Sequence, residues 1–118
     1  MEKGFTPIAG GVTAAKGFMA ASTAAGIKYS GRQDMAMIYS RIPCRAAGTF
    51  TTNIVKAAPV KWDQARIEEG AAAQAVVINA GIANACTGQE GMDYCSQTAE
   101  AAGQAPGIPK ESVLVGST

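Results

Sequence analysis

Short apolar runs of strand type and two helix-type stretches alternate along the chain. "MAMIYS" (Met35 to Ser40) follows the turn formers of "YSGRQD" and reads as a buried strand. "AAGTFTT" (Ala46 to Thr52) has the threonines and phenylalanine of a pleated surface, which predicts a second strand. The opening "GGVTAAKGFMAASTAAGIKYSG" alternates weakly as Phe18, Ala20, Ser22 against Met19, Ala21, Thr23, and predicts extended chain with a turn near Gly26. Pro43 and Pro59 mark the ends of these runs, where a missing backbone donor does least damage. "WDQARIEEG" then predicts a helix with an Asp63/Arg66 pair at i,i+3 and Gly70 as its stop. "AVVIN" (Ala75 to Asn79) has no polar member before its asparagine and suits a strand covered on both faces.

The clearest local signal is "TGQEGMDYCSQTAEAAG". Thr87 and Glu90 stand in a capping-box relation, and Met92, Cys95, Ala99 and Ala102 recur on one helical face. Gly103, Pro106, Gly107 and Pro109 close this helix, and "SVLVG" follows as another buried-type strand. The order strands, helix, strand, helix, strand predicts a layered α/β or α+β domain over residues 1–118, with no linker and no repeat. A buried-type strand at its end implies further polypeptide beside or after it.

Composition sharpens this picture. The chain has 118 residues, 47% of them hydrophobic but only 6% aromatic, so one core must be built from small side chains that let backbones approach closely. A net charge of +1 argues against nucleic-acid binding. The signs are uneven: residues 1–66 hold nine Lys/Arg against three Asp/Glu, and residues 67–118 one against six. That asymmetry reads either as two solvated faces or as a basic wall for a small anionic substrate. Nothing in the sequence has signal-peptide or membrane-spanning character, and the expected location is the cytoplasm.

Candidate chemistry is sparse. With no histidine and no CxxC spacing, zinc sites of the usual ligand sets and histidine acid/base work are excluded, and no metal is expected. Neither "GGVTAAKG" nor "NAGIANACTG" has the spacing of a phosphate loop. Cys44, Cys86 and Cys95 lack an activating partner and fit core packing better than nucleophilic work, although Cys86 precedes the expected cap. Asn79 and Asn84 either pin the turn or present amides to a ligand, and "FTTN" (Phe50 to Asn53) allows the same pair of readings.

Four blocks in order, "GGVTAAKGF", "AAGTFTTNIVKAAPV", "NAGIANACTGQEG" and the final "VLVGST", resemble the N-terminal part of the ornithine acetyltransferase family, the bifunctional glutamate N-acetyltransferases of arginine biosynthesis. Ala80 and Ile82 stand where members often carry polar residues, and Ala15 where proline is common. The resemblance implies an αββα-type layered fold, here incomplete, with this chain an N-terminal fragment of the alpha subunit. It implies a precursor that cleaves itself before an internal threonine, and a heterotetramer of two alpha and two beta subunits.

The exposed threonine of the beta subunit would be the nucleophile, taking acetyl from N-acetylornithine to glutamate by a ping-pong route. By the same match Thr118 is an oxyanion-hole donor, its partner glycine and the nucleophile lying outside this chain. No cofactor is implied, acetyl-CoA being a possible co-substrate, and the fragment is expected to be inactive alone. Two other readings stand beside this one: a self-processing amidohydrolase-like enzyme, and a noncatalytic small-ligand-binding domain.

Overall fold

The computed structural model describes residues 4–24, 33–80 and 88–118. Four strands form one sheet in the order β1-β2-β3-β4: β1 Phe18–Thr23, β2 Met35–Cys44, β3 Ala73–Asn79 and β4 Val113–Ser117. Neighbours among the first three are antiparallel, and β4 runs parallel to β3. That parallel step requires a crossover, which α2 (Gly88–Gln104) provides, while α1 (Ala58–Glu68) links β2 to β3.

Both helices lie on one face of the sheet. Ala58 and Trp62 of α1, Cys95 and Ala99 of α2, and Ala75, Val77, Val113 and Val115 of the sheet form the core. The stripe expected on α2 is the buried one, with Cys95 and Ala99 fully enclosed and Met92 and Ala102 packed against the cluster. Thr87 of the expected capping box, Cys86, Asn84, Ile82 and the turn near Gly26 lie outside the described residues.

Alternation in β3 and β4 follows from this one-sided cover. Ala75, Val77 and Asn79 point into the helical layer, whereas Ile78 on the opposite face is 36% exposed. The expectation that "AVVIN" is covered on both faces is therefore corrected: within the described residues only one face is covered. The sheet and its helices account for two of the four layers of an αββα arrangement.

"AAGTFTT" is not a strand either. Residues 45–57 form no ladder; instead the Asn53 N–H donates to Thr51 Oγ1 (3.1 Å) and the Val55 N–H to Asn53 Oδ1 (3.1 Å). Threonine favours a pleated surface only where a neighbouring strand supplies one, and here local side-chain acceptors win. The opening glycine-rich segment is extended where Phe18 to Thr23 alternate, as strand β1, and departs from extended chain in one 3-10 turn at Val12–Ala14.

Pro59 sits inside the first turn of α1 rather than before it, where its missing N–H costs nothing. Pro43 falls in the irregular end of β2, where pairing shifts between Tyr39 and Cys44. Gly70, at φ +72°, ends α1, with the Ala71 N–H reaching back to the Arg66 carbonyl (3.2 Å).

The Arg66 charge acts on Asp63 as expected, but each side chain makes its close contacts elsewhere. Arg66 stacks over Trp62, 4.3 Å from the ring centroid, and pairs with Glu69 (2.8 Å). Asp63 turns toward β4, where its Oδ1 accepts the Val115 N–H (2.8 Å). Beside it the Trp62 indole N–H donates to the Val113 carbonyl (2.9 Å). Strand β4 is the edge of the sheet, and these are the groups it points away from β3, so α1 side chains close that edge.

Two predictions follow from this packing. A Cβ built on Gly103 would stand 2.4 Å from the Ile108 carbonyl oxygen, a backbone atom that cannot swing aside. Gly103→Ala should therefore lower the unfolding free energy by about 1–3 kcal/mol in a urea titration. Burial pushes the Asp63 carboxyl up from 3.8 to about 6, against the opposing pull of the Val115 N–H and Arg66. The folded protein thus holds this proton more tightly than the unfolded chain. Its contribution to stability is complete below about pH 4 and is lost as pH rises through about 6. Unfolding curves across that interval should show the decline in the wild type and a flatter profile in Asp63→Asn.

Candidate functional site

Four strand ends meet at one rim of the sheet. Asn79 closes β3 in register with Ser117 of β4 and Met35 of β2, and Met35 in turn faces Thr23 at the end of β1. Backbone bonds continue past the ladders: the Ala80 N–H donates to the Asp34 carbonyl (2.8 Å), and the Asp34 N–H to Thr23 (3.1 Å). The carboxyl ends of adjacent parallel strands leave polar backbone and short side chains at such a rim, a recurrent location for ligand sites.

Thr118 stands at this rim, one residue beyond β4. Its N–H donates to the Asn79 carbonyl at 3.0 Å, so that donor is already committed to the sheet. Alternation along β4 places Ser117 with Val113 and Val115 toward the helices, and Thr118 with Leu114 and Gly116 toward the uncovered face. Thr118 is exposed there. The group it retains for chemistry is its side-chain hydroxyl, carried on the end of a hydrogen-bonded strand. A hydroxyl carried there can donate to a developing oxyanion.

Asn79 is open to two roles from sequence, pinning the turn or presenting an amide, and the turn from residue 81 lies outside the described residues. The Asn79 side chain is 1% exposed on the helical side, and among the described residues neither Oδ1 nor Nδ2 has a hydrogen-bond partner. An enclosed amide is costly when both its polar atoms stay unpaired. Ala80 follows it at the rim, while Asn84 falls outside the described residues.

Other candidates lie elsewhere. Cys95 is fully enclosed, and burial, reinforced by Asp63, pushes its thiol pKa up, so it packs the core and is no nucleophile. Cys44 is half-buried and its thiol contacts Ser40 Oγ (3.2 Å). Thr52 and Asn53 of "FTTN" line a shallow groove with Lys56 and Lys61, before and along the first turns of α1. Among the described residues no group of His, Cys, Asp and Glu could hold a metal ion.

Sequence reading missed two enclosed or partly enclosed carboxylates, Asp34 at the rim (3% exposed) and Asp63. Asp34 sits among turn formers and Asp63 beside Trp62 in a polar helix, and neither context distinguishes a buried acid from a solvated one. A cavity of about 480 Å³ lies on the helical side between α2 and the β1–β2 pair, lined by Ala21, Met35, Met37, Val77, Ala101 and Ala105 among others. It contains no titratable side chain and is across the sheet from Thr118.

Comparison with known proteins agrees with this fold. The model of the ArgJ family matches residues 19–118. The chain is 48% identical over 114 residues to the arginine biosynthesis bifunctional protein ArgJ of Gloeobacter violaceus, and 51% over 113 residues to that of Symbiobacterium thermophilum. These alignments cover 97% and 94% of this chain and 28% of each relative, so the chain spans little more than a quarter of the curated proteins it matches.

Among solved structures, the ornithine acetyltransferase of Mycobacterium tuberculosis, complexed with ornithine, superposes with a TM-score of 0.84 at 44% identity, covering 92% of this chain and 59% of that one. The ArgJ protein of Bacillus halodurans gives 0.83 at 38% identity, with 92% and 56% covered. No described helix is long and apolar enough to cross a membrane. A family match that spans the sheet, both helices and Thr118, together with close relatives over nearly the whole length, establishes that the chain belongs to the ArgJ family.

Proposed function

We propose that this chain supplies the oxyanion-donor part of a glutamate N-acetyltransferase acting in arginine biosynthesis, with Thr118 as the donor. The observation that carries the reading is the state of Thr118: its N–H is spent on Asn79, and its residue faces the uncovered side of the sheet. The nucleophilic threonine belongs to polypeptide outside this chain and approaches from that side. The solved mycobacterial relative's complex with ornithine supports an amino-acid substrate of this class.

In the proposed route the threonine hydroxyl attacks the acetyl carbonyl of N-acetylornithine. Negative charge develops on the carbonyl oxygen and is met by the Thr118 hydroxyl and by a backbone N–H of the residue that follows it in the family. Collapse breaks the amide bond, and the proton taken from the nucleophile leaves with the ornithine amine. The acyl-threonine is then attacked by the glutamate amine, which reverses the sequence and releases N-acetylglutamate. No cofactor enters these steps, and acetyl-CoA is a chemically suitable alternative acyl donor. The positive excess in residues 1–66 suits substrates that carry carboxylates.

Self-cleavage into alpha and beta subunits, and their assembly as a cytoplasmic heterotetramer, belong to the same proposal. The chain covers 59% of the solved mycobacterial chain but 28% of the Symbiobacterium protein, so the solved chain is about half as long as the curated one. That proportion supports a polypeptide divided near its middle. The uncovered apolar sheet face, with Phe18, Ile38, Ile78 and Leu114, is where the remaining layers would pack. Without them the fragment has no nucleophile and should not turn over.

Two experiments test this reading. In the full-length protein, Thr118→Ala should lower kcat by roughly 100- to 1000-fold with little change in KM, and Thr118→Ser should restore most of it; an unimpaired alanine variant would overturn the assignment. Denaturing mass spectrometry of the purified protein should find two polypeptides of comparable size. Ornithine release that proceeds equally well without glutamate would instead favour hydrolysis over transfer.

A further inference from the structure

We propose that Asp63 is the positioning residue for the oxyanion donor: its carboxylate grips β4 through the Val115 N–H and thereby fixes where the Thr118 hydroxyl stands. The inference rests on the proposed role of Thr118 and adds a residue from a different element to that site.

Strand β4 is five residues long and has a ladder on one side only, with β3. Successive residues of a strand direct their N–H and C=O groups to opposite sides, so Leu114, Gly116 and Thr118 bond toward β3 while Val113, Val115 and Ser117 point outward. A short strand held along one edge can pivot about that ladder. Two side chains of α1 prevent this by taking consecutive outward groups: Trp62 Nε1–H donates to the Val113 carbonyl at 2.9 Å, and Asp63 Oδ1 accepts from Val115 at 2.8 Å. The Asp63 bond is the one nearer to Thr118, three residues along the same strand.

Covering an edge needs only bulk, which Trp62 already provides. An acid at this place is disfavoured by burial, and an outward-facing position on the same helix would carry no such penalty. What the buried position adds is an acceptor at a defined point on β4. A shift of the donor by a fraction of its hydrogen-bond length weakens a transition-state contact much more than it weakens substrate binding, so the effect falls on kcat.

The test uses the full-length protein, with kcat and KM for acetyl transfer measured for Asp63→Ala, Asp63→Glu, Asp63→Asn, Thr118→Ala and the Asp63→Ala/Thr118→Ala double variant. Asp63→Ala should lose about tenfold in kcat with KM within about twofold of the wild type. Asp63→Asn should keep kcat within about twofold, because its amide oxygen can accept the same N–H. The double variant should be no slower than Thr118→Ala, since the grip has nothing left to aim.

Wild-type kcat in Asp63→Ala, or a double variant that loses the full extra factor, overturns the proposal. If Asp63→Ala does not fold, Asp63→Glu decides: displacing the acceptor by one methylene should lower kcat several-fold, and an unchanged value refutes positioning. An active Thr118→Ala variant sinks the oxyanion reading itself. Impaired Thr118→Ala beside normal Asp63→Ala and Asp63→Glu sinks only the inference about Asp63.

Discussion

The contact between α1 and the outer edge of β4 is the constraint on which the rest of the structure turns. Indole N–H to carbonyl and carboxylate to amide, two adjacent helical residues saturate the strand's outward backbone at two successive points. Each bond replaces one that water would otherwise make, so the net gain per bond is modest, on the order of 1 kcal/mol. Their larger effect is geometric. They tie the one helix that precedes β3 to the one strand that follows α2, and so lock the parallel crossover in place.

Small side chains make that closure possible. Cys95 and Ala99 are fully enclosed where α2 meets the sheet, and the helix ends with Gly103 against the Ile108 backbone. The low aromatic content is therefore a property of spacing: thin side chains bring helix and sheet axes near enough for Trp62 to span from α1 to β4. Burial is one-sided as a result. The helical face is filled with valines, alanines and one indole, while the opposite face keeps apolar residues half open.

Much of this architecture was legible in the residues. The α2 stripe is written in a helical period, the turn at Gly70 in a glycine stop, and the strands "MAMIYS", "AVVIN" and "SVLVG" in short apolar runs between turn signals, and all are where those signals place them. "AAGTFTT" misled because strand propensity needs a partner, and the local Thr51 and Asn53 acceptors satisfied the backbone first. The one-sided cover of "AVVIN" could not be read because an apolar run is the same whether its second face meets a helix, another sheet or nothing yet. Thr118 drew attention only through the family resemblance. Its committed N–H and the direction of its side chain are facts of register that no motif states. The Asp63 hydrogen bond could not be read because helical spacing gives neighbours within a helix: Arg66 acts on Asp63 through its charge, whereas the hydrogen-bond partner is a backbone amide 52 residues away.

The closure of β4 has a further consequence for how the sheet can grow. Of its two outer strands, β4 has its outward groups occupied at Val113 and Val115, whereas β1 is exposed along its whole length. Strand addition is thereby one-directional: a newcomer can lengthen this sheet beside β1 but meets helix side chains beside β4. In a partly folded state, mispairing between copies of this region would be confined to the β1 border. The strand end that carries Thr118 would stay out of such tangles.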